Sequence, residues 1–105
     1  MTEVKMLKEL VQYQDHSIVS QAIVDKPSGS ITVFAFAAEE SLSEHTAPFD
    51  ALVQVLDGEA EIRISGTPFR LGPGEVILMP AGKPHAVKAV SAFKMMLTMI
   101  REKKK

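Results

Sequence analysis

At 105 residues, with 46% hydrophobic and 24% charged side chains, the chain is one domain in length and apolar enough to bury a core. That balance excludes a disordered tail or a collagen-like repeat. The 12 Lys and Arg against 13 Asp and Glu leave a formal charge of −1, so no basic field invites nucleic acid. With no Cys, the chain has no disulfide, thiolate nucleophile or Cys-based metal site. A metal would have to be held by carboxylates and the three histidines, His16, His45 and His85. No charged-then-apolar leader opens the sequence and no apolar run approaches membrane-spanning length, so a soluble, cytoplasmic protein with no membrane partner is expected.

Residues 1–16 mix charge with Val4, Met6, Leu7, Leu10 and Val11, at spacings that suit a short helix. Leu10–Gln14 also alternates, so a short strand is an equal alternative. From Ser17 the pattern is β. Ser17–Val24 and Ile31–Phe36 read as strands on either side of a turn at Asp25–Gly29. The stretch from Ala38 to Phe49 has no clear period and reads mostly as loop. Ala51–Leu56 and Glu59–Ile64 flank Asp57-Gly58, a strong hairpin signal. In the second arm Glu59, Glu61 and Arg63 alternate with Ala60, Ile62 and Ile64, which predicts one wet and one buried face.

Ser65-Gly66 marks the next turn and Thr67–Leu71 the next strand. Gly72-Pro73-Gly74 turns the chain again. Val76–Met79 is a brief apolar strand, stopped at Pro80–Pro84. His85–Val90 and Phe93–Ile100 complete the set, the latter with Phe93, Met95, Leu97 and Met99 on one face. Short strands with turn signals about every ten residues predict a sandwich or small barrel. The basic tail at 101–105, with Arg101, Lys103, Lys104 and Lys105, reads as a solvated terminus.

Gly74-Glu-Val-Ile-Leu-Met-Pro80-Ala-Gly82-Lys-Pro-His85 resembles the second motif of the cupin superfamily, with Ala89 where that motif often has Asn. His45-Thr-Ala-Pro-Phe-Asp-Ala-Leu-Val-Gln-Val-Leu-Asp-Gly58 is similar to the first motif. The resemblance spans about Ser43 to Ala89. It implies an all-β fold, the small double-stranded β-helix or jelly-roll barrel, in a single domain over 1–105, commonly paired as a homodimer and often with a dimer-exchanged N-terminal strand, here within about 1–16. Leu52 and Leu56 face opposite to Val53 and Val55, so one of these pairs covers an outer sheet face that asks for a partner.

In metal-binding cupins three His and one Glu converge on a divalent ion. Counting back from Gly58, the resemblance puts His45 and His85 on two of those corners and Ala47 and Ala51 on the others. One more residue in the gap would instead set Glu44 and Thr46 at the first two His positions. Either way half the shell cannot coordinate, and two imidazoles alone make a poor cage. Asp50 adjoins the vacant Glu position but should face away from Ala51. No metal is therefore assigned, and Fe, Mn, Zn, Ni or Cu would depend on His45 and His85. The ordinary reading makes these two histidines polar groups at a wet pocket mouth, bonded to each other, to water or to a ligand. His16, Arg63 and Arg70 read as surface residues.

The sequence holds no Gly-x-Ser-x-Gly elbow, and no helix follows Gly66, Gly72 or Gly74 to cap a phosphate. Met79, Met95, Met96 and Met99 suit a packed core or a soft ligand pocket. The expected site is a small-molecule pocket of His45, His85, Ala47, Ala51, Val53, Met79 and Met95. The alternative is a metal-dependent enzyme, of dioxygenase or isomerase type, using the two histidines with an incomplete ligand set.

Overall fold

The computed structural model describes residues 2–101. Its strands run β1 (Ile18–Lys26), β2 (Gly29–Phe36), β3 (Ser41–His45), β4 (Asp50–Asp57), β5 (Ala60–Ile64), β6 (Thr67–Leu71), β7 (Val76–Met79), β8 (His85–Ala89) and β9 (Phe93–Ile100). They build a five-stranded sheet, β1-β2-β9-β4-β7, and a four-stranded one, β3-β8-β5-β6, with all neighbours antiparallel and bulges in the β1–β2, β3–β8 and β4–β9 pairs. The inner faces of the two sheets meet in one apolar cluster. Phe36 and Phe93 stack there at 4.6 Å between ring centroids, with Val53, Val55, Ile62 and Val87 around them. Strand alternation produces this: Val53 and Val55 point in, while Leu52 and Gln54 point out. The all-β jelly roll expected from the sequence is the fold observed.

Four local expectations need correction. Asp57-Gly58 is not a hairpin. β4 pairs with β7 and β9, β5 pairs with β6 and β8, and the dipeptide carries the chain from one sheet to the other. Gly58, at φ +74°, packs so closely on the β8–β9 turn that a Cβ would run into the Ala92 carbonyl and lie 2.8 Å from Phe93 Cα. The hairpin at this place in the chain is β5–β6, turned by Ser65 and Gly66, both at positive φ.

The stretch read as loop contains β3. As an edge strand it pairs only with β8, and its one inward apolar residue is Leu42, so its alternation is faint.

The N-terminal segment is neither a regular helix nor a strand. It makes a single 3₁₀ turn, Leu7–Leu10, then runs extended to the turn before β1. So few residues cannot offset the cost of nucleating an α-helix. Instead Leu7, Leu10 and Val11 lie on the outer face of the five-stranded sheet, against Val33, Ala35, Leu56 and Met96. Lys94, buried beneath them, donates from Nζ to the Lys8 carbonyl at 2.6 Å and sits 5.0 Å from the Tyr13 ring centroid. The Tyr13 hydroxyl donates to Asp57, and burial together with that carboxylate pushes its pKa up. Leu56 is thus covered by its own chain, while Leu52 stays 37% exposed.

Arg101 is not a solvated tail residue. Its guanidinium donates to the Lys26 carbonyl at 2.9 Å and stacks over Phe49, its backbone N–H donating to Ser28. Lys103, Lys104 and Lys105 lie outside the described residues.

Candidate functional site

One end of the barrel is framed by two loops that the sequence ties together. The β3–β4 loop and the β7–β8 loop meet where Gly82 N–H donates to the Ala47 carbonyl at 2.9 Å and Ala81 N–H donates to Asp50 Oδ1 at 2.8 Å. Gly82 holds φ +78°, a left-handed conformation that a glycine adopts without strain. Pro80 ends β7 without offering a donor to the ladder. With the loops fixed, His45 and His85 become direct cross-strand partners at the ends of β3 and β8.

Their rings meet edge to face, centroids 4.4 Å apart at 72°, with Nε2 to Nε2 at 3.1 Å. His85 is 4% exposed, whereas His45 lies on the exposed edge strand. His45 Nδ1 sits 2.9 Å from the Ser43 carbonyl. A carbonyl only accepts, so that nitrogen carries a proton, and in the neutral ring Nε2 of His45 is bare. The proton between the rings then belongs to His85 Nε2. His85 Nδ1 is left as a buried lone pair with no partner of hydrogen-bond geometry among the described residues. Desolvation first, then the neighbouring His45, hold the His85 pKa below the ordinary value of 6.5, and the nearby Lys83 backbone opposes them only in part.

Inside this mouth lies a cavity of about 160 Å³. Of the residues expected from the sequence, His45, His85, Ala47, Ala51, Met79 and Met95 line it. Val53 does not. It faces inward but pairs one step further along β4, with Ile77 and Leu97, and is fully enclosed in the core. Met99, read as core or soft pocket, lines it as well, and four lining residues were missed: Leu42, Phe49, Val87 and Leu97. Strand parity would have given Leu97, which shares the Phe93, Met95 and Met99 face. Leu42 and Phe49 were hidden in the stretch read as loop. Glu44 and Thr46 are exposed and outside the lining, whereas His45 and Ala47 belong to it.

His16 is exposed in the turn before β1, Arg63 pairs with Glu61 at 3.1 Å on the outer surface, and Arg70 lies 3.8 Å from Glu59. None of the three contributes to the cavity.

A cupin-domain family model matches residues 32–101. The chain belongs to the cupin family. Among solved structures it is similar to a conserved protein of unknown function from Streptococcus pyogenes, with 35% identity and a TM-score of 0.94 over 99% of this chain and 91% of that one. A cupin superfamily protein from Desulfitobacterium hafniense superposes at TM-score 0.91 with 30% identity, covering 97% of this chain and 94% of its own. The curated protein it resembles is dimethylsulfoniopropionate lyase DddQ of Ruegeria pomeroyi, 38% identical over 58 residues. That match takes in 54% of this chain and spans only 29% of the lyase.

The metal shell implied for cupins does not fit these residues. Two of its corners carry the methyl groups of Ala47 and Ala51. Asp50, the nearest carboxylate in sequence, faces out and is engaged by Ala81. Among the described residues no group of three or more His, Cys, Asp or Glu is placed to hold an ion. What remains is an apolar chamber with one polar wall, made of two imidazoles in contact through their Nε2 atoms.

Proposed function

We propose that this cupin binds a small molecule in the chamber at its barrel mouth, without the full metal shell of the family. The observation that carries this reading is the cavity of about 160 Å³ lined by apolar side chains with His45 and His85 as its polar wall. Ligand sites are typically concave, mostly apolar and oriented by a few polar groups. A panel of small carboxylates, sugars and phenols, screened by thermal shift, tests it. A ligand that binds only the folded state at 100 times its Kd stabilises it by about 2.7 kcal/mol. The shift should vanish in Ala51→Leu, which fills the chamber. A panel without effect, or a shift that survives in Ala51→Leu, would overturn the reading.

A second reading is lyase chemistry of the kind named for the Ruegeria relative. It is favoured by the 38% identity over 58 residues and would use His45 Nε2 as the base, since that lone pair is unprotonated at the chamber wall. Turnover of a β-substituted carboxylate, lost in His45→Gln, would select it over plain binding.

The proposal includes a homodimer. On the outer face of the five-stranded sheet, register sets Leu78, Leu52, Thr98, Ile31 and Val24 side by side in one row free of charge. Leu78 is 50% and Val76 beside it 56% exposed. A charge-free row offers nothing for a charged partner to match, whereas the same row on a second copy complements it about a two-fold axis.

A further inference from the structure

We propose that the chamber is built for a small neutral ring compound bearing one hydroxyl, which inserts between the histidines, accepting from His85 Nε2–H and donating to His45 Nε2. The inference rests on the binding reading above and names the ligand class for the same site.

The polarity of the wall comes from the backbone. Because Ser43 O takes the His45 Nδ1 proton, the two Nε2 atoms 3.1 Å apart are one acceptor and one donor. A hydroxyl has both roles and matches such a pair. A carboxylate only accepts. It would find a single donor here and face the bare lone pair of His45, so it needs an extra proton on a wall whose inner member is buried. An ammonium only donates and meets a single acceptor. A sugar carries several hydroxyls, and the remaining lining, from Ala47, Phe49, Met79 and Leu97 among others, would leave all but one unsatisfied.

Size and surface fix the rest of the molecule. An apolar protein cavity of roughly 150 Å³ holds one benzene ring, and this one measures about 160 Å³. Met79, Met95 and Met99 present thioethers to it, and thioethers pack well against aromatic ring edges. To seat an oxygen at ordinary hydrogen-bond lengths from both nitrogens, their separation must open to about 4.5 Å. His45 is the ring that gives way, pivoting on its Nδ1–Ser43 bond, because β3 is an edge strand and its side chain is exposed, while His85 is enclosed.

The probes are phenol, toluene and benzoate, titrated calorimetrically into the wild-type chain at pH 7.5. Phenol should bind at least tenfold more tightly than toluene, and benzoate should not bind. In His45→Leu phenol should lose its preference and bind no more tightly than toluene, with a circular-dichroism spectrum and melting curve like the parent's showing that the variant is folded. His45→Gln, whose amide oxygen can still accept, should restore part of the preference. Equal binding of phenol and toluene, benzoate binding tighter than phenol, or a phenol preference that survives His45→Leu would overturn the hydroxyl assignment and leave the pocket standing. Binding of none of the three would overturn the assignment and the pocket reading together.

Discussion

Asp50 accepts a hydrogen bond from the Ala81 N–H at 2.8 Å, across 31 residues of chain. With the Gly82-to-Ala47 bond beside it, this contact sets the distance between the loops that carry His45 and His85. Asp50→Ala should therefore cost about 1 kcal/mol, since one partly solvated hydrogen bond is lost, and Asp50→Asn should recover most of it. Urea unfolding of the three proteins checks this. An Asp50→Ala protein as stable as the parent would mean that the loops hold without the tie.

Acid should weaken the protein through His85. Its folded-state pKa lies below the ordinary 6.5, chiefly from desolvation. Between the two values the unfolded chain binds a proton that the folded chain does not, so stability rises with pH there. The stability is whole above the unfolded value, begins to fall as pH drops past it, and the loss is complete below the folded value. One such proton gives a slope of at most about 1.4 kcal/mol per pH unit. Urea midpoints measured from pH 7.5 to 5 should fall, and His85→Asn should flatten that part of the curve. Stability that is level or rises on acidification in the parent would contradict the burial of a neutral His85.

Gly58 and Gly66 both sit at positive φ, +74° and +83°, but only Gly58 has neighbours within 4 Å of a Cβ. Gly66→Ala should cost roughly 1–2 kcal/mol from the left-handed backbone alone. Gly58→Ala adds a backbone clash with Ala92 and Phe93 and should cost distinctly more, with loss of expression an acceptable extreme. Comparable melting temperatures for the two variants would refute the close crossing at the sheet corner.

The contrast between those glycines also explains what the sequence could and could not reveal. Strands β6, β7 and β9 were readable to the residue, because Gly66 and Gly72 bound Thr67–Leu71, Gly74 and Pro80 bound Val76–Met79, and the shared apolar face of Phe93, Met95, Leu97 and Met99 marks Phe93–Ile100. Asp57-Gly58 has the local signature of a hairpin, yet its conformation is set by Ala92, 34 residues later. Pairing partners are tertiary facts that a dipeptide does not encode. His45 and His85 could be brought together from the sequence only through the family resemblance. Nothing in the local sequence around His45 signals that Ser43 fixes its tautomer, since that depends on the bulge where β3 slips against β8 between Leu42 and His45.

Leu52 and Leu78 are paired across β4 and β7 and both remain exposed on the outer sheet face. If a second copy covers them, light scattering coupled to gel filtration should give twice the 11.5 kDa of one chain. Leu52→Glu with Leu78→Glu should then yield a folded monomer, because neither side chain belongs to the core and like charges on both copies repel. A parent that elutes as a monomer at micromolar concentration would dismiss the dimer.

Ala47 and Ala51 offer a constructive test of the site geometry. Both line the chamber together with His45 and His85, so Ala47→His with Ala51→Glu should complete a set of three imidazoles and one carboxylate. The parent is expected to retain less than one equivalent of Fe, Mn, Zn, Ni or Cu after growth in supplemented medium, whereas the double variant should hold one. Position 51 is only 3% exposed, so a glutamate there is costly when unpaired. The metal-free double variant should therefore melt below the parent, and addition of Zn or Ni should raise its Tm in proportion to the metal bound. Elemental analysis and thermal shift read this without any assay of activity. A folded double variant that takes up no metal would show that the four positions do not converge, and a parent already carrying one equivalent, lost in His45→Ala with His85→Ala, would restore the metal-dependent alternative.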